Sequence, residues 1–300
     1  MKRTKLFFVF VVAFILVSGG VFAKKNKIPK KLKEAFSKTE KGEVIQEGME
    51  LKFSEIRFFP AQGEKTNVII SFSFKENEQK EEKEEKKSDV IAVEVINKKD
   101  PKKKVTVFSP IGNSEKSENN FYYFEIQAKP GEYEIVGIVS TRDLKKMGSH
   151  KIDVKVPDMF PTKLNLSSLL VYKDIKKLGE PPIGFKIYEN CFPMGLYMVY
   201  PIEGNIVNPG VSPRLLYFIN GAKKNKLSRQ YQIKISYRLL KDGKEVEKFK
   251  PVVVSNNVVD QPLPLLVKGE KLSGKYEFEV EVLDIVSREK VKKSIVLFYK

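Results

Sequence analysis

Hydrophobic and polar residues alternate with a period of two through most of the chain after residue 49. Val68, Ile70 and Phe72, for example, are separated by single residues that include Ser71. Alternation of this kind is typical of strands that bury one face. We predict seven short strands in each half of the chain, near residues 49–53, 68–74, 90–96, 105–108, 121–126, 132–139 and 151–156, and again near 196–200, 215–219, 232–239, 246–254, 262–267, 276–283 and 292–298.

The two halves also carry related segments in the same order. FFPAQG at 58–63 recurs as VYPIEG at 199–204, and VEVINKKD at 93–100 recurs as ISYRLLKD at 235–242. GEYEI at 131–135 recurs as GKYEF at 274–278. The separation between the two copies grows by a single position from each landmark to the next. Three landmarks in the same order with so small a drift indicate a duplicated domain.

The third landmark places a glycine two residues before a tyrosine in both halves, as Gly131 and Tyr133 and as Gly274 and Tyr276. Immunoglobulin-like sandwiches often have a tyrosine near the start of the sixth strand, where its hydroxyl bonds back to the preceding loop. We therefore interpret these four residues as structural and predict an all-β fold of two tandem immunoglobulin- or fibronectin-III-like β-sandwich domains. Core aromatics in another all-β fold, a jelly roll or an open sheet are the alternatives.

The segment at 1–23 has the features of a secretory signal peptide, with Lys2 and Arg3 before an apolar run and small residues up to Ala23. An uncleaved anchor is the alternative. The tract of Lys and Glu at 75–87 is interpreted as a solvated insertion. The predicted order after the signal peptide is a basic flexible arm with at most one helical turn at 24–48, a sandwich at 49–157, a linker with one packed edge strand or short helix at 158–189, and a sandwich at 190–300.

The formal net charge is +17, with 55 Lys and Arg against 38 Asp and Glu. Such an excess attracts polyanions in general and does not specify a fold. The predicted arm is the most basic segment, and lysines near an anionic surface favour binding to it. A solvated spacer is the alternative for this segment. The candidates for contact with an anionic membrane surface or polymer are Lys24, Lys25, Lys27, Lys30, Lys31 and Lys33.

Candidate chemistry is sparse in the sequence. The single histidine, His150, precludes a two-histidine metal site and is interpreted as an exposed turn residue. The single cysteine, Cys191, cannot form a disulfide within the chain and is interpreted as a small buried hydrophobe, with pairing between chains as the alternative. No phosphate-binding loop, calcium loop or CxxC motif occurs. We predict no catalytic residue, cofactor or metal site, while a pair of carboxylates remains open.

Several motifs follow one another in an order that suggests a known group of proteins. They are VPD at 156–158, LNLSSLL at 164–170, the hairpin YRLLKDG at 237–243 and the strand LSGKYEF at 272–278. This succession resembles the β-rich regions of secreted bacterial proteins of the GWxTD type. The Gly-Trp-x-Thr-Asp signature itself is absent, because the chain has no tryptophan. The resemblance implies an exported protein with tandem sandwich domains and implies no catalytic residue.

These observations predict a non-enzymatic, exported binding or envelope-assembly module, located in the periplasm or outside the cell. Its expected partner is an unidentified protein of the cell envelope and not nucleic acid, since the lysines lack interleaved aromatics. One alternative is a cell-surface module that binds carbohydrate or polyanions, although the lack of tryptophan counts against a carbohydrate platform. The other is a hydrolase that uses carboxylates, which requires a concave cluster of acids.

Overall fold

The computed structural model describes residues 28–76, 89–111, 121–180, 182, 186–256, 265–266 and 272–300. The predicted signal peptide and most of the Lys/Glu tract lie outside these ranges. Within them, helix α1 spans Lys30–Glu40 and a 3₁₀ turn spans Glu203–Asn205. The strands are β1 (Gln46–Glu47), β2 (Met49–Ala61), β3 (Lys65–Glu76), β4 (Val90–Asn97), β5 (Asp100–Pro110), β6 (Tyr122–Ala128), β7 (Gly131–Ser140), β8 (Met147–Val156), β9 (Asn165–Leu166), β10 (Leu170–Lys177), β11 (Tyr188–Glu189), β12 (Phe192–Met194), β13 (Tyr197–Pro201), β14 (Ile206–Val207), β15 (Arg214–Leu216), β16 (Ile219–Asn220), β17 (Tyr231–Lys241), β18 (Lys244–Lys248), β19 (Val252–Asn256), β20 (Leu265–Leu266), β21 (Gly274–Asp284) and β22 (Lys290–Tyr299).

The first sandwich consists of a five-stranded sheet and a four-stranded sheet. The first has the order β1-β8-β7-β4-β5, and the second has the order β11-β6-β3-β2. One continuous apolar core fills the space between them. At its centre the Phe53 ring makes edge-to-face contacts with the rings of Phe72 and Phe124, at centroid distances of 6.4 and 6.3 Å.

The second sandwich repeats this strand order. One of its sheets has the order β12-β13-β10-β15-β20, and the other has the order β14-β22-β21-β17, with β18 and β19 following one another along the far edge of β17. Strands β10, β15 and β20 therefore correspond to β2, β3 and β6, and β17, β18, β21 and β22 correspond to β4, β5, β7 and β8. The chain is all-β, with two tandem immunoglobulin- or fibronectin-III-like sandwiches.

The second sandwich begins earlier than the sequence predicts. The predicted linker at 158–189 contains β10, which is an interior strand because β13 and β15 pair with its two sides. The prediction of an edge strand or short helix there is wrong, and so is a start of the second domain at residue 190. Leu169 and Val171 face the core of their own sandwich, whereas Leu170 and Tyr172 face the first sandwich. A strand buried on both faces lacks the alternation that marks a half-buried strand.

The first of the three sequence landmarks does not align in the structure. FFPAQG ends β2, which turns directly into its neighbour β3. VYPIEG ends β13, which pairs with β10 and β12 and not with β15. The two segments therefore occupy different places in their sheets.

The second landmark is out of register by two residues. When Tyr133 and Tyr276 are aligned, the cross-strand pairings make Val93 the counterpart of Tyr237. The sequence landmark instead matches Val93 with Ile235. A shift of two residues leaves every side chain on the same face of its strand, so the pattern of apolar residues does not reveal it.

The described part of the predicted arm is a packed helix. Helix α1 buries Leu32, Ala35, Phe36 and Thr39 against the outer face of the five-stranded sheet. The prediction of a flexible arm is wrong because it considered only the large apolar residues. A stripe of buried residues at i, i+3, i+4 and i+7, even with small ones among them, is enough to pack a helix on a sheet. No helix in the described ranges is both long and apolar enough to cross a membrane. The sheet residues beneath α1 are Ala92, Val136, Ile138 and Met147.

The two sandwiches pack on each other through the outer faces of two sheets. A second connection is made by β11, which follows β10 in the chain and pairs with β6 of the first sandwich. The order of layers is therefore helix, two sheets of the first sandwich, then two sheets of the second. The buried residues at this junction are Phe59, Ile69 and Tyr123 on one side and Leu170, Tyr172, Phe192, Val199 and Leu216 on the other.

Candidate functional site

The two predicted structural tyrosines lie near the starts of β7 and β21. The Tyr133 hydroxyl donates a hydrogen bond to the Lys129 carbonyl oxygen at 3.0 Å, as a tyrosine corner requires, and burial raises its pKa. The Tyr276 hydroxyl lies 3.4 Å from the Lys241 ammonium, which also stands over the ring. Residues 267–271 of the loop before β21 are outside the described residues.

The two glycines of the same motif, Gly131 and Gly274, are the first residues of β7 and β21. Gly274 has a φ of +91°, in the region that glycine adopts easily because it has no Cβ. The backbone at the start of β21 therefore favours glycine for conformational reasons.

The difference between the two tyrosines gives a matched test. Tyr133→Phe should lower the free energy of unfolding by about 1 kcal/mol, the net value of a typical hydrogen bond. Tyr276→Phe should cost less, because among the described residues the hydrogen-bond contact of its hydroxyl is a long one with an exposed lysine. Urea unfolding of the two variants beside the wild type measures both. A larger loss for Tyr276→Phe than for Tyr133→Phe would contradict this assignment.

The lysines predicted to contact an anionic surface fall into three groups. Lys30 and Lys33 are exposed on α1. The Lys31 ammonium donates to the carbonyl oxygen of Leu144 and so ties α1 to the loop before β8. The remaining three lie outside the described residues: Lys24, Lys25 and Lys27.

The exposed side of α1 continues onto strand β5. The Lys104 ammonium lies 3.3 Å from Glu40 at the end of α1 and 2.9 Å from the buried carboxylate of Glu94. Thr106 donates a further hydrogen bond to Glu94 at 2.7 Å. These contacts fix the helix beside the strand. Apart from Lys31 and Lys104, whose contacts are given above, we call six exposed lysines on and next to these two elements the basic face: Lys30, Lys33, Lys38, Lys41, Lys102 and Lys103.

The lone histidine and cysteine are both placed in the packed structure. His150 lies within β8, and its Nδ1 accepts a hydrogen bond from the Phe53 backbone N–H at 3.0 Å. Burial and the nearby charge of Lys52 lower its pKa. The prediction of an exposed turn histidine is wrong because β8 begins four residues before the predicted strand. Cys191 is half-buried, and burial raises the pKa of its thiol.

A cavity of about 380 Å³ lies between the two sandwiches. Strand β2 contributes Glu55 and Arg57 to its wall, and the second sandwich contributes Ser168, Asn205 and Lys293, with others. The Arg57 guanidinium, on a residue only 5% exposed, forms an ion pair with the Glu55 carboxylate. A buried charge of this kind is stable only when it is paired.

A second carboxylate, Glu203, lies beside this ion pair. Both of its oxygens are buried and have no hydrogen-bond partner among the described residues. Burial raises the pKa of Glu203 to about 7, with the Arg57 charge lowering it and the Glu55 charge raising it. Burial also lowers the pKa of Lys293, whose ammonium donates to the Leu166 carbonyl oxygen at 2.6 Å.

We call Glu55, Arg57 and Glu203 the junction cluster. It can take up or release a proton near neutral pH, although the Glu203 oxygens are too buried for a bound substrate to reach them. Across the described ranges, no group of three or more His, Cys, Asp or Glu side chains is placed to hold a metal ion. The sequence pattern does not reveal this cluster, because charged residues on the outer face of a sheet are interpreted as solvated when no packing between sandwiches is expected.

The strand order of the four main sheets and the buried contact between the sandwiches define the class of this protein. It is a pair of fibronectin-III-like β-sandwiches packed on each other. Scans against protein-family profiles and against curated proteins gave no match. Among solved structures, the chain is similar to the fibronectin(III)-like modules of Clostridium thermocellum CbhA, with 12% identity and a TM-score of 0.21, over 83% of this chain and 94% of that chain. It is also similar to dimeric latent PorU from Porphyromonas gingivalis, with 8% identity and a TM-score of 0.28, over 91% of this chain and 21% of that chain. At these values the fold assignment rests on the strand order itself.

Proposed function

We propose that this chain is an exported, non-enzymatic binding module that docks an acidic protein of the cell envelope on its basic face. The observation that carries the proposal is the fixed position of that face. Leu32 and Phe36 anchor α1 on the sheet, and Lys104 ties its end to β5. The exposed lysines therefore stand on a rigid surface, which lowers the entropic cost of binding a partner of complementary charge.

Export to the periplasm or the cell exterior is inferred from the signal-peptide features of residues 1–23. A basic n-region, an apolar stretch and a small-residue end are what the secretion machinery reads. A compartment outside the cytoplasm also suits a partner in the envelope.

The non-enzymatic assignment is supported by the state of the acids at the junction. A hydrolase with two carboxylates needs both of them open to the substrate. Glu55 is engaged by Arg57, and the oxygens of Glu203 are buried. The acids of the junction cluster are thus better suited to the packing of the sandwiches than to catalysis.

An anionic membrane surface or polymer is the second candidate for the same face. Each lysine near such a surface contributes on the order of 1 kcal/mol, and the attraction weakens as salt rises. A membrane responds to the number of lysines, whereas a folded partner also responds to their arrangement. This difference separates the two candidates.

Site-specific photo-cross-linking in the native cell, followed by reconstitution, tests the proposal. A cross-linker at exposed Ser37 on α1 should capture one acidic envelope protein, and one at Leu227, which is 96% exposed on the second sandwich, should not. Capture at both positions or at neither would contradict the proposal.

Charge reversal then tests the purified pair. Lys33→Glu with Lys38→Glu should weaken binding of the captured partner roughly tenfold, and the matched change of exposed Lys173 and Lys177 on β10 should leave it unchanged. Equal losses in the two double variants would show that only total charge matters. Binding to vesicles of anionic lipid as strong as to the captured protein would favour the membrane candidate.

A further inference from the structure

Strand β5 is a long, uncovered edge of the five-stranded sheet. It pairs with β4 continuously from Pro110 back to Lys104, and Asp100 pairs with Asn97 after a shift in register. Within the described ranges no strand lies along its other side. The opposite edge of the same sheet is covered in part by β1. An uncovered edge presents unpaired backbone N–H and C=O groups, which form a template for another strand.

The corresponding edge of the second sandwich is constructed differently. There β17 pairs with two short strands, β18 and β19, and residues 249–251 between them form no strand. An edge that is interrupted in this way is less able to pair with a strand of another chain. The eleven-residue β5 keeps one register with β4 from Pro110 to Lys104, and the register shifts only beyond Ile96, where residues 101–103 have no pairing partner on β4.

The side chains of β5 combine exposed apolar groups with lysines. Val105 is 62% exposed and Phe108 is 43% exposed. Val105 lies opposite Val95, and Phe108 lies opposite Ala92 beneath α1, so the two project from opposite faces of the sheet. An added strand would find an apolar contact on each face.

The charge of β5 determines which kind of strand is suited to pair with it. β5 carries Lys102, Lys103 and Lys104 and a single acid, Asp100. A second copy of this strand carries the same excess of lysines and so offers no complementary charge. A strand with alternating acidic and apolar residues meets both the lysines and the exposed apolar groups.

We propose that β5 binds an extended, acidic segment of the partner protein, which adds to the five-stranded sheet as a further strand beside β5. This inference rests on the proposed function as a binding module and specifies how the partner is held. Backbone hydrogen bonds to β5 provide the binding, and Lys102 and Lys103 select acidic sequences.

The test uses a short blocked peptide of alternating Glu and Val, with the Lys and Val version as its control. Binding of the Glu peptide should slow amide exchange at alternate residues of β5 by about tenfold or more, because only every second N–H points to the added strand. The Lys peptide should bind much more weakly. Slowed exchange elsewhere, without any at β5, would overturn the inference.

Two double variants test the role of the lysines. Lys102→Glu with Lys103→Glu should weaken binding of the Glu peptide roughly tenfold, as expected for two exposed charge pairs turned repulsive. The matched variant, Lys244→Glu with Lys248→Glu on exposed β18, should change binding less than about twofold. Equal effects of the two variants, or equal binding of the two peptides, would contradict the inference.

The remaining outcomes separate this inference from the proposed function. If exchange at β5 slows as the concentration of the protein alone is raised, a second copy occupies the edge and the inference is wrong. If the cross-linked envelope protein binds the basic face without any protection of β5, the proposed function stands and only edge pairing fails. If the peptide protects β5 while no envelope partner is captured, the proposed function fails.

Discussion

Raising the pH from about 5 to about 8 is expected to remove up to about 3 kcal/mol of stability through Glu203. The pKa of this carboxyl is about 7 in the folded protein, against an ordinary value of 4.5. Between these values the folded state binds more protons than the unfolded state, so stability falls as the pH rises. The contribution is fully present below the unfolded value and is lost once the pH has passed the folded value.

The Glu203→Gln variant is the control, because glutamine is similar in shape and stays uncharged. Urea unfolding at several pH values should show the decline in the wild type and not in the variant, which should be the more stable protein at the alkaline end. The comparison is needed because His150, whose pKa is lowered by burial, changes stability in the opposite direction. The charged residues that act on Glu203 are Arg57 and Glu55 on β2. Lys293 on β22 lines the same cavity as these two residues. Identical pH dependence in the two proteins would show that Glu203 is not the responsible group.

Phe36→Ala is expected to lower the free energy of unfolding of the first sandwich by about 3–5 kcal/mol, as for other large buried aromatics. Phe36 is 3% exposed and packs with Val136 and Ile138 of the sheet. Ser37→Ala, on the exposed side of the same turn, should change stability by less than about 0.5 kcal/mol. Guanidinium unfolding measures the stability of both variants. A Phe36→Ala protein as stable as the wild type would show that burial of Phe36 does not hold α1 on the sheet.

This prediction changes how a shortened protein has to be interpreted. Removing the residues before Gly48 would uncover Ala92, Val136, Ile138 and Met147 on the sheet. Loss of binding after that deletion would reflect an exposed apolar surface as well as missing lysines. Charge reversal on the exposed side of α1 avoids this ambiguity.

The half-buried strands were predictable because each has one apolar and one polar face. Strand β21 is an example. Tyr276, Phe278, Val280 and Val282 are buried, and Glu277 and Glu281 between them are less so, whereas the buried Glu279 forms ion pairs with Arg238 and Lys292. The repeat of Gly and Tyr also placed equivalent strands correctly. The predictions that failed concern elements whose surroundings are formed by distant parts of the chain.

Helix α1 and the junction are those elements. The stripe that packs α1 on the sheet contains only two large apolar residues, Leu32 and Phe36, and its partner surface is formed by strands that lie far away along the chain. Arg57 and Glu203 are far apart in sequence, and the raised pKa of Glu203 arises only when the two sandwiches meet. A local pattern carries no information about such packing.

The path of the chain between the sandwiches has a mechanical consequence. After β10 the chain returns to pair β11 with β6 and then re-enters the second sandwich with β12. Phe192 of β12 lies 5.4 Å from the ring of Tyr123, measured between centroids. Tension between the two ends can separate the sandwiches only by peeling β11 from β6 and breaking this contact. Under tension the two sandwiches should therefore resist separation more strongly than two domains that are joined only by a flexible linker.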